Sequence, residues 1–287
     1  MFHRTIWIAF WALFATTVPL WTSAQEVAMV PRAHAHNDYE HTRPLLDALA
    51  HGFCSVEADI HLVNGALLVG HDAKDLRPER TLQALYLDPL HARAKANNGQ
   101  VYPGGNGFTL LIDLKTDGET TYAALKDVLM SYADMLTEFT TDSTTTRAVT
   151  VIISGSTPRD TIAAQSPRYA AIDGRIRDLE GNPSVHAVPL MSEAWQPLFK
   201  WYARDNMPDE VRTKLHEVVA KAHAQGRRVR FYAAPDTPAV WKELNDAGVD
   251  LINTDKLAEL SAFLHESKST EPVDKSEASK HKGKPKD

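Results

Sequence analysis

Hydrophobic positions in the first part of the chain alternate between strand-like and helix-like spacing. Residues 27–35 are apolar and extended, Leu45, Leu46 and Leu49 recur at helical spacing, and residues 55–61 alternate again in the manner of a strand. Together these three segments predict one β-α-β unit.

The same alternation continues along the chain. A hairpin over residues 62–70, with its turn at Asn64-Gly65, follows the second strand. Further strands are predicted over residues 108–115, 149–154, 169–172, 187–191, 228–233 and 250–253. Helices are predicted over residues 44–51, 82–96, 120–139 and 238–247. This order predicts an α/β fold, a single (β/α)8 TIM barrel that is irregular after strands five and six. A doubly wound sheet is disfavoured because no GxGxxG turn is present.

Composition and charge narrow the class of protein. Of the 287 residues, 43% are hydrophobic and 24% are charged, which is typical of a folded globular protein. The formal net charge of -6 provides no basic field, so no nucleic-acid partner is expected. Because Cys54 is the only cysteine, the chain cannot form an internal disulfide or a thiolate-rich metal site. Any metal ion must therefore bind oxygen or imidazole ligands.

The two ends of the chain differ from the centre in composition. Residues 1–24 combine Arg4, an apolar run and small residues before the predicted cleavage point, a pattern that predicts a cleaved secretory signal. An uncleaved membrane anchor is the alternative, which Pro19 disfavours. Residues 266–287 mix lysines with acids and lack large apolar side chains, so we expect a disordered tail. The predicted folded domain is residues 25–265, exported to the periplasm or secreted.

Polar residues gather where the first three predicted strands end, on the face of a TIM barrel that carries the chemistry. They are His34 and His36 after the first strand, Glu57 and Asp59 on the second, His71 after the hairpin, and Asp113 and Lys115 on the third. Because side chains alternate along a strand, Glu57 and Asp59 must point the same way, as must Asp113 and Lys115. Each feature alone has a structural explanation, but their combination favours a functional site.

Three converging carboxylates need a cation or protons to neutralise them. With no thiolate available, Glu57, Asp59 and Asp113 suit a hard, oxygen-seeking ion. The sequence therefore predicts a Mg²⁺ or Ca²⁺ site on this face of the barrel.

Several segments of the chain together match the pattern of a known superfamily. They are residues 39–42, 52–59, 64–72, 111–115, 224–231 and 247–255. On these segments the sequence resembles the glycerophosphodiester phosphodiesterase and phosphatidylinositol-phospholipase-C-like TIM-barrel phosphodiesterases, and the resemblance extends over most of the predicted barrel. The His-Ala-His-Asn-Asp sequence at residues 34–38 is similar to a branch that includes the fungal mitochondrial-inheritance proteins.

The resemblance implies a metal-dependent phosphoric diester hydrolase. It implies a divalent metal ion held by Glu57, Asp59 and Asp113, and a pair of histidines that act as general base and general acid. Of that pair, His71 is expected to protonate the leaving oxygen, and Lys115 to stabilise the charge that develops on the phosphate. The expected partners are small-molecule or lipid phosphodiesters, namely glycerophosphodiesters or phospholipid head groups, with peripheral membrane contact a further candidate.

Two departures from the family pattern affect the site. The usual His-Arg-Gly after the first strand is replaced by His34-Ala-His36, so either histidine could be the catalytic one. Choosing His36 makes Asn37 a candidate fourth ligand. The third metal ligand, commonly a glutamate, is Asp113 here, whose shorter side chain would draw the ion towards the third strand or admit an extra water.

Two rival functions use the same residues. The His34-x-His36 pair also resembles the metal site of amidohydrolases and of polymerase-and-histidinol-phosphatase-type phosphoesterases, but those sites need further histidines on strands five and six. Only His186 lies near those strands, and it precedes its strand. The second rival is a barrel without catalysis that serves as a binding module.

An aromatic segment at residues 191–201 has two interpretations. Trp195, Phe199 and Trp201 could line the mouth of a pocket or touch a lipid surface. Alternatively, the four-residue spacing of Trp195 and Phe199 is typical of a packed helix face.

Overall fold

The computed structural model describes residues 27–105 and 107–270, the last three by their backbone alone. The predicted signal segment 1–24 and most of the predicted tail lie outside these residues. Among the described residues, no helix combines the length and the hydrophobicity needed to span a bilayer.

Eight parallel strands close into a barrel, which confirms the predicted architecture for the described residues. Strands β1, β2, β4, β7, β8, β9, β10 and β11 pair in that order, and β11 pairs back onto β1. Strand β3 forms an antiparallel hairpin with β2, and β5 forms a separate two-stranded antiparallel sheet with β6. The strands are β1 (Ala33–Ala35), β2 (Ser55–Val63), β3 (Ala66–Val69), β4 (Phe108–Leu114), β5 (Glu138–Phe139), β6 (Thr144–Thr145), β7 (Val149–Gly155), β8 (Ala171–Gly174), β9 (Leu190–Ala194), β10 (Arg228–Tyr232) and β11 (Leu251–Thr254).

The helices that cover the barrel are uneven in length. They are α1 (Leu46–Ala50), α2 (Asp88–Ala96), α3 (Gly118–Met130), α4 (Arg159–Ala163), α5 (Trp195–Phe199), α6 (Asp209–Ala224), α7 (Pro238–Asp246) and α8 (Leu257–Thr270). A π-helical turn, Gln83–Leu87, leads directly into α2. The sequence did not predict α6, and α8 continues past Glu266, where the tail was predicted to begin.

The first strand is shorter than predicted. Only Ala33–Ala35 joins the barrel, whereas the apolar run begins at residue 27. Pro31 has no N–H to give to a neighbouring strand, and the chain turns there, with the Ala33 N–H donating to the carbonyl oxygen of Val30 at 3.0 Å. The strand therefore begins after this turn.

The helix predicted over residues 120–139 is wrong in its second half. Helix α3 ends at Met130, and Glu138–Phe139 forms a strand. The Thr137 N–H donates to the carbonyl oxygen of Val149 at 2.8 Å, so this segment pairs with the start of β7 instead of continuing as a helix. The β5-β6 hairpin therefore lies at the N-terminal end of the barrel.

The barrel interior changes from apolar to polar along the strands. A buried apolar layer consists of Leu111, Phe139, Ile152, Ala171, Leu190 and Leu251. Two residues further along the five barrel strands of this layer, which exclude β5, the inward positions are polar, namely Asp113, Ser154, Asp173, Ser192 and Asn253. The polar layer lies at the carboxyl ends of the strands, where TIM barrels place their sites.

The aromatic segment packs into the core. Trp195, Phe199 and Trp201 are all buried, and the ring centroids of Trp195 and Phe199 lie 4.3 Å apart. The indole N–H of Trp195 donates to the carbonyl oxygen of Trp201 at 2.8 Å. The packed helix face is confirmed, and the interpretation of these rings as a pocket mouth or a lipid-contacting surface is wrong, because burial leaves them no free face.

Candidate active site

The three predicted acidic ligands come together at the carboxyl ends of β2 and β4. One carboxylate oxygen from each of Glu57, Asp59 and Asp113 lies within 4.8 Å of the other two. The parallel register places Asp59 directly beside Asp113, and the two-residue period turns Glu57 to the same side as Asp59. We call these three residues the acidic triad.

Cationic side chains from two sides contact the acidic triad. Arg230 Nη2 on β10 lies 2.5 Å from Glu57 Oε2, and Lys115 Nζ lies 2.9 Å from Asp59 Oδ2. Burial alone would raise the pKa of Glu57, but the Arg230 guanidinium, the hydrogen bond from His34 and the charges of both histidines together outweigh it and hold the pKa well below its usual range. Burial raises the pKa of Asp113, partly offset by Lys115. The triad therefore combines buried acids that are only partly neutralised by the chain itself.

The residues of the triad fit a hard divalent cation. Asp59 is almost completely buried, yet its Oδ1 atom has no hydrogen-bond partner among the described residues. A buried carboxylate oxygen without a partner is costly, and coordination of an ion removes that cost. Three oxygen donors with no sulfur match the preference of Mg²⁺ and Ca²⁺.

His34 is completely buried beneath the triad. Its Nδ1 lies 2.7 Å from Ser55 Oγ, and its Nε2 lies 3.5 Å from Glu57 Oε2. Burial, assisted by the charge of Arg230, lowers the pKa of His34 to about 4, so the ring is neutral at pH 7. Both ring nitrogens are in contact with the protein, and no face is open to a substrate.

His36 lies on the open side of the barrel. Its side chain is 31% exposed, and its Nδ1 lies 2.9 Å from Asp255 Oδ1, just after β11. Burial opposes the charged ring, but the hydrogen bond to Asp255 and the charge of Glu57 outweigh it and raise the pKa of His36. The contact at Nδ1 leaves Nε2 free to exchange a proton with a bound molecule.

His71 approaches the triad from the β2-β3 hairpin. Its Nδ1 lies 3.0 Å from Asp59 Oδ2, and its side chain is 54% exposed. The Tyr39 hydroxyl donates to the same Asp59 oxygen at 2.7 Å. His61 lies beneath, with its Nε2 3.1 Å from the carbonyl oxygens of both Gly70 and His71. His61 thus supports the backbone that carries His71 and does not face the triad.

Four residues of the site were not predicted as site residues from the sequence. Arg230 lies on β10 and Asp255 just after β11, near the far end of the chain, and Tyr39 follows β1. Gly155, at the end of β7, has a φ of +69°, and a Cβ there would lie 2.2 Å from Asp113 Oδ1. Only glycine therefore leaves room for the Asp113 carboxylate, and this close approach has no signature in one sequence.

The opposite wall of the barrel carries a second buried acid. Asp173 on β8 is buried, and Arg175 Nη1 lies 3.0 Å from its Oδ2. Burial raises the pKa of Asp173, partly offset by Arg230 and Arg175. Arg175 remains partly exposed and adds a positive group to the barrel mouth.

His186, the further histidine considered for an amidohydrolase-type metal site, lies away from His34 and His36. His186 Nδ1 is 2.9 Å from Thr144 Oγ1, on the hairpin at the N-terminal end of the barrel. Among the described residues, the one group of acids, histidines and cysteines that could hold a metal ion is the acidic triad, which contains no histidine. The His34-x-His36 pair thus lacks the additional ligands that an amidohydrolase-type site requires.

Comparison with known proteins shows the family to which the chain is related. Residues 22–173 match the AIM6-like phosphodiesterase domain, and residues 228–258 match the glycerophosphoryl diester phosphodiesterase family. Altered inheritance of mitochondria protein 6 of Eremothecium gossypii is 32% identical over 275 residues, covering 83% of this chain and 71% of that protein. A homologue from Arthroderma benhamiae is 31% identical over 252 residues, covering 77% and 80%.

Two solved structures share the barrel fold. A glycerophosphodiester phosphodiesterase from Agrobacterium tumefaciens superposes with a TM-score of 0.51 at 16% identity, covering 82% of this chain and 99% of that one. A glycerophosphodiester phosphodiesterase from Parabacteroides distasonis gives a TM-score of 0.50 at 17% identity, covering 83% and 98%. At this level of identity the likeness concerns the fold.

Proposed function

The chain belongs to the AIM6-like phosphodiesterase family, and on that basis we propose that it hydrolyses phosphodiesters in a reaction that requires a divalent metal ion. The observation that carries this proposal is the acidic triad. Among the described residues, the buried Oδ1 atom of Asp59 has no hydrogen-bond partner, and two histidines, His36 and His71, lie at the edge of the triad. Glu57, Asp59 and Asp113 would hold Mg²⁺ or Ca²⁺. When bound, the ion would offset negative charge on the non-bridging phosphate oxygens.

His36 is the general base of the proposed reaction. Asp255 holds its Nδ1, so its Nε2 is the nitrogen that accepts a proton from the attacking water or substrate hydroxyl. The partial exposure of His36 lets a substrate reach it, whereas the buried ring of His34 has no such access. This geometry favours His36 over His34.

His71 is the general acid. Its Nδ1 faces Asp59, which orients the ring and leaves Nε2 to donate a proton to the leaving oxygen. A base and an acid held on separate elements suit a displacement in which one oxygen attacks and another leaves.

Lys115 and His34 have supporting roles. Lys115 Nζ lies between two triad carboxylates, and their charges outweigh its burial and raise its pKa, so it stays positive. Its charge stabilises the phosphate in the transition state. His34 is a positioning residue, because it contacts Glu57 from below and links it to Ser55.

The substrates we propose are glycerophosphodiesters or phospholipid head groups. The two solved structures that share this fold are glycerophosphodiester phosphodiesterases. The predicted export signal would take this chain to phosphodiesters outside the cytoplasm. Arg175, partly exposed at the barrel mouth, gives the site a further positive group that suits an anionic substrate.

A substrate panel tests the reaction class. The full chain is assayed with Mg²⁺ or Ca²⁺ on bis(p-nitrophenyl) phosphate, glycerophosphocholine, p-nitrophenyl phosphate and p-nitrophenyl acetate. We expect turnover of the two diesters and little on the monoester or the carboxylic ester. Preference for the monoester or the acetate would reject the proposal, and inactivity of a folded protein on all four would favour a binding module.

A further inference from the structure

A cavity of about 650 Å³ opens at the N-terminal end of the barrel, the end away from the acidic triad. Its volume lies within the range of small-molecule sites. Thr109 and Thr150, which line it, lie two residues before Leu111 and Ile152, so the buried apolar layer separates this cavity from the polar layer above. The proposed phosphodiesterase mechanism uses none of its residues.

Arg228 brings a positive charge into this cavity without a matching acid. Its Nη1 donates to Thr109 Oγ1 at 3.0 Å, a neutral partner, and among the described residues no carboxylate forms an ion pair with it. Burial lowers the pKa of Arg228, and the charge of Asp250 only partly offsets this. A guanidinium stays protonated and offers five N–H donors, so most of them lack a partner of opposite charge.

Among the described residues that line the cavity, Asp250 is the one acid, and it is already engaged. Its Oδ2 accepts from the Val229 N–H at 2.8 Å and lies 2.8 Å from His223 Nε2. Arg32 directs its guanidinium to the carbonyl oxygen of Val249 and to Asn245, away from Arg228's partner Thr109. Arg228 therefore keeps a positive charge that Asp250 does not pair with directly.

The remaining wall is part hydroxyl and part apolar. Thr144 Oγ1 lies 2.9 Å from His186 Nδ1, and both line the cavity. Phe108, Phe139 and Val185 supply apolar surface around them. Such a wall suits a molecule with one charged end and one apolar part.

We propose that this cavity binds a small molecule that carries one phosphate or carboxylate group and an apolar portion. The oxyanion accepts hydrogen bonds from the Arg228 guanidinium, whose planar fork matches both groups. The apolar portion lies against Phe108, Phe139 and Val185.

Calorimetric titration of the full chain in EDTA tests this proposal, with phenyl phosphate, benzoate and inorganic phosphate as probes. All titrations use the Lys115→Met variant, because loss of this lysine weakens anion binding at the triad. Its affinity for each probe is compared with that of the double variant Lys115→Met/Arg228→Met. We expect saturable 1:1 binding of phenyl phosphate or benzoate, weakened about tenfold or more by Arg228→Met because a charge-assisted hydrogen bond is lost. The responding probe identifies the preferred oxyanion, and weaker binding of inorganic phosphate would support the role of the apolar wall.

The thermal stability of Arg228 variants provides the control. Without ligand, Arg228→Met should melt at the same temperature as wild type or higher, because it removes an unpaired charge, and Arg228→Lys should bind with intermediate affinity. Hydrolysis of bis(p-nitrophenyl) phosphate should be unchanged in both variants. The absence of saturable binding in the Lys115→Met background, or equal affinity after Arg228→Met, would overturn the proposal. A lower melting temperature of Arg228→Met with unchanged probe binding would show that Arg228 only supports the barrel.

Discussion

His36 Nδ1 lies 2.9 Å from Asp255 Oδ1, and this contact joins the first and the last strands of the barrel at the edge of the acidic triad. The two residues are 219 positions apart and meet only because the barrel closes. The carboxylate orients the ring and favours its protonated form, as an acid does for a catalytic histidine.

Replacing Asp255 with asparagine should lower kcat and change its pH dependence. Because the negative charge of Asp255 raises the pKa of His36, its removal lowers that pKa, and the acid limb of the rate profile should move to lower pH. We expect kcat to fall about tenfold or more, and about 10²-fold for His36→Gln. The measurement is the rate of bis(p-nitrophenyl) phosphate hydrolysis from about pH 5 to about pH 9, a range that spans the ordinary pKa of a histidine side chain, about 6.5.

Asp134→Asn is the matched control for that experiment. Asp134 also pairs with a histidine, with its Oδ2 2.8 Å from His91 Nε2, but outside the site. The Asp134→Asn variant should leave the pH dependence of hydrolysis unchanged. An unshifted acid limb in Asp255→Asn would remove His36 from the role of general base.

His34→Gln should affect metal affinity more than turnover. The buried ring contacts Glu57, so its loss disturbs a triad ligand without removing a proton-transfer group. We expect the metal concentration for half-maximal activity to rise about tenfold, with kcat at saturating metal within a few-fold of wild type. A loss of about 10² in kcat at saturating metal would instead identify His34 as the catalytic base.

The two-residue period of strands explains why the triad could be predicted. Glu57 and Asp59 share a face in any strand, and Asp113 joins them because β2 and β4 pair in register. The barrel itself followed from the alternation of strands and helices. These features depend on local spacing, which one sequence contains.

Features that depend on barrel closure could not be predicted in the same way. Arg230 meets Glu57 across 173 positions, and no local pattern marks the pair. Residues 131–139 were predicted as the second half of a helix, yet hydrogen bonds to the start of β7 and to Arg168 determine their structure. Tertiary contacts override local preference there.

Gly155→Ala should weaken metal binding through Asp113. A Cβ at this position would lie 2.2 Å from Asp113 Oδ1 and 2.6 Å from the Leu114 carbonyl oxygen, so the carboxylate must move. We expect the half-activating metal concentration to rise about tenfold or more. It is measured by titrating metal into the EDTA-treated enzyme during hydrolysis of bis(p-nitrophenyl) phosphate.

Gly65→Ala separates that clash from backbone strain. Gly65 has a similar positive φ, +83°, but a Cβ there has nothing within 4 Å. Both variants should lose about 1–2 kcal/mol of stability from the strained backbone. Gly155→Ala should lose more, because its Cβ also meets the Leu114 backbone, and only Gly155→Ala should lose metal affinity. Equal metal affinities in the two variants would contradict the packing of Asp113 against Gly155.

The free energy of unfolding of Asp38→Asn, compared with that of wild type, should increase as pH rises. Asp38 is buried, and burial raises its pKa to about 6, partly offset by hydrogen bonds from the Leu45 N–H and the Tyr86 hydroxyl. Protonated Asp38 stabilises the fold in full at pH values below about 3.9, the pKa of an aspartate in the unfolded chain. This stabilisation is lost as pH rises through about 6, the pKa of Asp38 in the folded protein. Relative to wild type, the unfolding free energy of Asp38→Asn should therefore increase by up to about 3 kcal/mol between pH 4 and 8.

Urea denaturation at both pH values measures this difference. Asp47→Asn should show almost no change relative to wild type over this range, because hydrogen bonds from Arg43 lower the pKa of Asp47 and the stability from its charged form is lost only as pH falls below about 3.9. A difference between Asp38→Asn and wild type that is independent of pH would contradict the burial of an ionisable Asp38.

The most direct test of the proposed function is the metal dependence of diester hydrolysis in the full chain. The rate of bis(p-nitrophenyl) phosphate hydrolysis is measured in EDTA, and again with Mg²⁺ or Ca²⁺ restored, for wild type, Asp59→Asn and Asp113→Asn. The acidic triad predicts that wild type loses activity in EDTA and regains it with at least one ion, while both variants stay at least about 10²-fold slower. Undiminished hydrolysis in EDTA, or full activity in Asp59→Asn, would contradict a metal-dependent site built on Glu57, Asp59 and Asp113.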